Sequence, residues 1–285
     1  MVHDRGAPLD DLGALEAQVR VARTAGDDAD LAAALGYLAI GRRRRGDLDE
    51  AMAALREQEQ LCRRLGDQGE LAGALGNQAL IHLDHGEDAV ADGLLDQVAR
   101  LYREVGDTEQ LAVTLGNRAV VLRRQGRLDE AMAVLRNQQD LCHKHGDLTG
   151  VAYSLGNQAL VHGDRGDLDE AMRLHRKQEA LSRQLGHWRG ISRSLGNQAT
   201  IHLEQGRYHE ALTELDEKER ICRQEHDVAG LAVALANRGA ALAALGEGGR
   251  ALAAIEEAND LVVDHSLGHL AQQIEPMLAA LRQGR

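Results

Sequence analysis

The stretch GDLDEAMAALREQEQLCRRLGD, residues 46–67, reads as one amphipathic helix between two glycines. Asp47 or Asp49 can cap its start, and Glu50 falls in the first turn, where a carboxylate is favoured. Leu48, Ala51, Met52, Leu55, Leu61 and Leu65 form its apolar face, Arg63 and Arg64 sit in its last turn, and Gly66 ends it. The segment that follows, LAGALGNQALIHLDHG at 71–86, spaces Leu71, Leu75, Ala79 and Leu83 four apart and stops at Gly86. Together they predict two antiparallel helices joined by a short turn.

That pair recurs with a 40-residue step. Gly46, Gly86, Gly126, Gly166, Gly206 and Gly246 keep it, as do Leu75-Gly76-Asn77, Leu115-Gly116-Asn117, Leu155-Gly156-Asn157 and Leu195-Gly196-Asn197, with Leu235-Ala236-Asn237 closest to them. A fixed period of this length is the signature of stacked repeats that bury their apolar faces against each other. The expected fold class is all-α: an α-solenoid of six helix-turn-helix units at 31–70, 71–110, 111–150, 151–190, 191–230 and 231–270. Residues 1–30 are read as an N-terminal cap, with Leu9, Leu12, Leu15, Val19 and Val21 needing the first unit to cover them. Residues 271–285 are read as a C-terminal cap, whose helix, 267–283, is interrupted or kinked at Pro276. Composition agrees. Apolar residues make up 44%, without Phe and with one Trp. Both prolines, Pro8 and Pro276, lie outside the repeats.

The turn Gly-Asp-Leu-Asp-Glu-Ala-Met at 46–52 and 166–172, its variant at 126–132, the alanines Ala39, Ala79, Ala119, Ala159 and Ala199, and the leucines Leu55, Leu95, Leu135 and Leu215 resemble the tetratricopeptide repeat family. The longer period is similar to that of kinesin light chains and of the sensor arrays of bacterial signalling ATPases. The resemblance implies a right-handed solenoid whose first helices line a concave groove. It also implies a role in binding proteins or peptides, with asparagines there holding ligand backbone. The usual aromatic residues and the proline after the second helix are missing.

The asparagines Asn77, Asn117, Asn157, Asn197 and Asn237 stand nine residues before successive turn glycines, and Tyr37 takes their place in the first unit. Asn and the preceding Gly are both indifferent or poor in a helix interior, so their recurrence needs a reason. Two readings compete. In one, glycine permits close helix approach and asparagine bonds across to the next repeat. In the other, the amides, each donor and acceptor, grip the backbone of an extended peptide. Three and seven residues further on, the same helix face carries Leu80, Val120 and Leu160, then Asp84, Arg124, Asp164 and Glu204. Arg44, Asp84, Arg124 and Asp164 alternate in sign, which suits either pairing between repeats or recognition of a charged partner.

The net charge of −12 disfavours nucleic acid, which needs a basic footprint. Arg42 to Arg45 complement the negative end of a helix. No run is apolar enough for a signal peptide or a membrane span, so no membrane role and a cytoplasmic location are expected. Cys62, Cys142 and Cys222 recur at 80-residue steps as small packing residues. His82, His162 and His202 share a position with Leu122 and Leu242, which makes it a packing position. His265 and His269 lack a third metal ligand. His187-Trp188-Arg189 replaces the usual Asp in one loop and holds the single Trp, which suits local packing ahead of a partner contact. No phosphate loop, nucleophile elbow or triad order is found. The expectation is a non-catalytic scaffold for a protein or peptide partner, without metal or cofactor; the alternative is a ligand-responsive sensor controlling a separate effector.

Overall fold

The computed structural model describes residues 11–265 and 267–283, with the side chain of His269 excepted. Among the described residues the chain is helix and short connection, with no strand. The helices fall into two compact units, the first ending at Gly146 and the second beginning at Asp147. The first holds α1 (Leu12–Ala25), α2 (Asp28–Arg45), α3 (Leu48–Leu65), α4 (Gln68–Asp84), α5 (Asp88–Val105), α6 (Thr108–Arg124) and α7 (Leu128–His145). The second holds α8 (Leu148–Asp164), α9 (Leu168–Gln184), α10 (Trp188–Glu204), α11 (Tyr208–Gln224), α12 (Val228–Ala244), α13 (Gly248–Asp264) and α14 (Gly268–Gln283).

Local chemistry sets the helix ends. Asp67 accepts from Glu70 N at 2.9 Å and Asp147 from Gly150 N at 2.8 Å; Asp27, Asp107 and Asp227 do the same for α2, α6 and α12. The Gly-Asp pairs are thus stop and start signals in one: the glycine ends a helix and the aspartate caps the next. At α10 the ring of His187 takes over, Nδ1 accepting from Gly190 N at 3.1 Å. Asp47 stands at the N-cap of α3 but makes no capping bond. The glycine of each turn adopts a left-handed φ, as at Gly46 (89°) and Gly166 (78°), a conformation that a Cβ disfavours.

Within each unit every helix packs on the next, and first-type helices also touch one another: α2 meets α4 in the first unit, and α10 meets both α8 and α12 in the second. This is nearest-neighbour solenoid packing. The fully buried column Leu55, Leu95 and Leu135 fills the first unit, and Leu215 and Ile255 continue the same position in the second.

Three expectations are corrected. Leu65 is 47% exposed, with Arg63 and Arg64 exposed beside it, so the last turn of α3 is uncovered. Val21 is 69% exposed, since two residues turn a helix about 200° from the buried Val19. The interruption expected at Pro276 is absent, and α14 runs through it from Gly268 to Gln283. Leu9 lies outside the described residues.

Candidate functional site

In the first unit Asn77 lies on α4 and Asn117 on α6; in the second Asn157, Asn197 and Asn237 lie on α8, α10 and α12. Asn117 is exposed and the other four are half-buried. Among the described residues none of the five side chains forms a hydrogen bond. The bond across to the neighbouring helix is made by the next residue along. Gln78 Nε2 donates to Glu59 Oε2 at 2.8 Å, and Arg118 Nε to Asp92 Oδ1 at 2.8 Å. In the second unit Gln198 Nε2 donates to Glu179 Oε2 and Arg238 Nη1 to Glu219 Oε2, both at 2.6 Å. A helix turns about 100° per residue, so the asparagine looks away from that contact.

The glycine before the asparagine has a separate cause. A Cβ at Gly36, Gly116 or Gly156 would come within 2.7–2.8 Å of the buried side-chain amide of Gln58, Gln138 or Gln178. At Gly196 it would lie 2.6 Å from Lys218 Nζ. These partners stand 22 residues on, in the second helix of the pair. In the two remaining units that position is Val98 or Ala258; Gly76 there meets nothing within 4 Å, and Ala236 replaces glycine outright. The buried column was legible as a 40-residue repeat but was missed, because glutamines inside a helix carry no apolar signal.

The flanking residues split by role. Leu80 and Leu160 are half-buried and Val120 is 39% exposed; Asp84, Arg124, Asp164 and Glu204 are exposed. Asp84 is held by Arg43, with Nε at 2.7 Å, and Arg124 by Asp88 at 3.1 Å. Asp84 is thus bonded by the residue before Arg44.

The second unit contains a cavity of about 600 Å³ lined by Tyr153, Trp188, Arg193, Asn197, Lys218 and Asn237, among others. Trp188 is half-buried, with the Arg189 guanidinium 4.4 Å from its ring centroid; Arg193 lies 5.6 Å from that of Tyr153. Lys218 is only 8% exposed, and burial pushes its amine below the ordinary lysine value. Burial pushes the Cys62 thiol up to about 11, with Glu70 and Asp67 adding to it, and raises Cys222 as well. Thiols raised in this way are poor nucleophiles. Cys62, Cys142 and Cys222 are all buried, and none is in a disulfide. His202, Leu122 and Leu242 are buried at their shared position, while His82 and His162 bond to Glu87 and Asp167. Among the described residues no group of three His, Cys, Asp or Glu could hold a metal ion, and no helix is long and apolar enough to cross a membrane. The His265–His269 pair lies partly outside the described residues.

No curated protein matches this sequence. The tetratricopeptide repeat family model matches residues 109–184 and 148–224, and that of anaphase-promoting complex subunit 5 matches 44–125. Among solved structures, BtubC (BKLC) from P. vanneervenii is similar at 19% identity and a TM-score of 0.66, over 78% of this chain and 93% of that one. A signal transduction ATPase with a tetratricopeptide repeat sensor, from Pyrococcus horikoshii, is similar at 13% identity and 0.69, over 92% and 42%. A Rap protein complexed with competence and sporulation factor is similar at 11% and 0.63, over 96% and 85%. At these identities the structural likeness shows the fold. The tetratricopeptide repeat model thus matches residues 109–224, inside the array, and the described helices have the fold of tetratricopeptide-type repeats.

Proposed function

We propose that this chain is a non-catalytic scaffold that holds an extended peptide segment of a partner protein. Its asparagines are the backbone-gripping groups: Asn77 and Asn117 on the first unit, and Asn157, Asn197 and Asn237 on the second. The observation that carries this reading is their unused hydrogen-bonding capacity beside neighbours whose side chains are engaged in helix-to-helix bonds. A polar group retained at a fixed register without an internal partner is available to a ligand, and an amide can satisfy both groups of a peptide unit. The flanking Leu80, Val120 and Leu160 add apolar contact, and Asp84, Arg124, Asp164 and Glu204 add charge at the edge. The resemblance to a repeat protein complexed with a factor supports the same reading.

The test is peptide selection from a random displayed library on the full chain, followed by affinity measurement on Asn157→Ala and on the Asn157/Asn197/Asn237 triple alanine variant. Each lost bond is worth roughly 0.5–1.5 kcal/mol. The single change should weaken binding severalfold, the triple should abolish it, and the melting temperature should hardly move. Unchanged affinity in a folded triple variant overturns the proposal.

A further inference from the structure

We propose that the cavity of the second unit receives the carboxylate side chain of an acidic residue in the bound peptide, with Lys218 as its charge partner; this rests on the peptide-binding reading above. Lys218 occupies the column that Gln58, Gln138 and Gln178 occupy in other repeats. Substituting an ammonium for a neutral amide at a site more than nine-tenths buried is costly unless a counter-charge arrives. Among the described residues Lys218 has no hydrogen bond and no ion pair. Its Nζ lies against Gly196, and Lys218, Gly196 and Asn197 line the same cavity.

The rest of the lining has the same bias. Arg189 and Arg193 also form no ion pair among the described residues, and each sits over an aromatic ring instead. Some arginines elsewhere in this unit are paired, as Arg183 is with Glu217 and Arg223 with Glu257. Of the two carboxylates in the lining, Glu225 and Asp227, the latter caps α12, accepting from Gly230 N at 3.0 Å, and its charge acts on Lys218 without a bond to it, outweighed by burial of the amine. The repeat pattern is broken again at His226, which takes a φ of 56° where the preceding repeats place Gly26, Gly66, Gly106, Gly146 and Gly186, and which lines this cavity. Backbone strain of this kind gathers at binding sites.

A side chain is favoured over a chain end by position. Asn197 and Asn237 both line the cavity, from α10 and α12. A backbone held by both continues across it, so the group that descends to Lys218 branches from the middle of the segment.

The experiment uses the full chain and short random peptides with amidated C-termini, each carrying one central Glu. Each is paired with a Gln twin and with a Gln twin bearing a free C-terminal carboxylate. The proteins are the native chain and Lys218→Gln, which recreates the Gln178 arrangement beside glycine and should melt no lower. The native chain should prefer the central Glu by about tenfold, in the range of a charge-assisted bond, and Lys218→Gln should lose that preference. The Lys218 ammonium resonance should shift with the Glu peptide and not with its twin. Equal binding of Glu and Gln peptides by the native chain leaves peptide binding intact and overturns the inference. So does a preference that survives in Lys218→Gln, or one that follows the terminal carboxylate. Failure to retain any peptide overturns the scaffold reading, and this inference falls with it.

Discussion

Gly156 on α8 lies so close to Gln178 on α9 that a Cβ would stand 2.7 Å from the amide carbon and from both its heteroatoms. Gln178 is itself 1% exposed and bonded to His175 Nδ1 at 3.2 Å, so its amide has little room to retreat. Gly76, the same repeat position in the first unit, faces no atom within 4 Å.

The two glycines should therefore respond oppositely to alanine. Gly76→Ala should stabilise by about 1 kcal/mol, the helix-propensity difference. Gly156→Ala should destabilise by about 1–3 kcal/mol through overpacking, less what propensity returns. Adding Gln178→Ala, which copies the Ala236–Ala258 pair, should recover the loss. Denaturant midpoints with unchanged slopes would check all three.

Leu135 has no exposed surface and belongs to the leucine column of the first unit. Leu135→Ala should cost about 2–5 kcal/mol. Hydrogen exchange should show the loss as easier opening of α7 and α6. A cost under about 0.5 kcal/mol, far below that range, would mean the residue does not face the core.

His226 holds a left-handed backbone conformation, at a cost of about 1–2 kcal/mol for a residue with a Cβ. His226→Gly should raise stability, by less than that figure because glycine gives up more entropy on folding. Thermal unfolding of the single variant measures it, and a lowered melting temperature would contradict the assignment of strain.

His175 occupies the column of Leu135 and Leu215, and burial pushes its imidazole down to about 4. The depressed value sets the sign. The folded state keeps the ring neutral while the unfolded chain protonates near 6.5. The stability it contributes is fully present above about 6.5, declines as pH falls below that, and is lost through about 4. His175→Leu should flatten the dependence of the unfolding midpoint on pH across that window. An unchanged slope would mean that other groups carry the acid sensitivity.

The order and type of the helices were legible because the 40-residue step repeats the apolar stripe, the stop glycine and the capping aspartate together. Leu55, Leu95 and Leu135 could be placed inside from spacing alone. The asparagines could be singled out as a repeated oddity, but not assigned. A period shows that Asn77 and Asn117 are equivalent; it does not show that Gln78 and Arg118, about 100° further round the helix, take the bonds to the neighbouring helix. That depends on how two helix faces meet. The same holds for Lys218. Its burial, its lack of a partner and its approach to Gly196 arise between residues 22 apart on different helices. The repeat, the helices and the apolar columns could be read in advance because they follow from local propensity and periodic burial. Which polar groups are satisfied within each unit, and which keep no internal partner among the described residues, was settled by packing, because hydrogen bonds and charge pairs depend on distances between helices that no one-dimensional spacing contains.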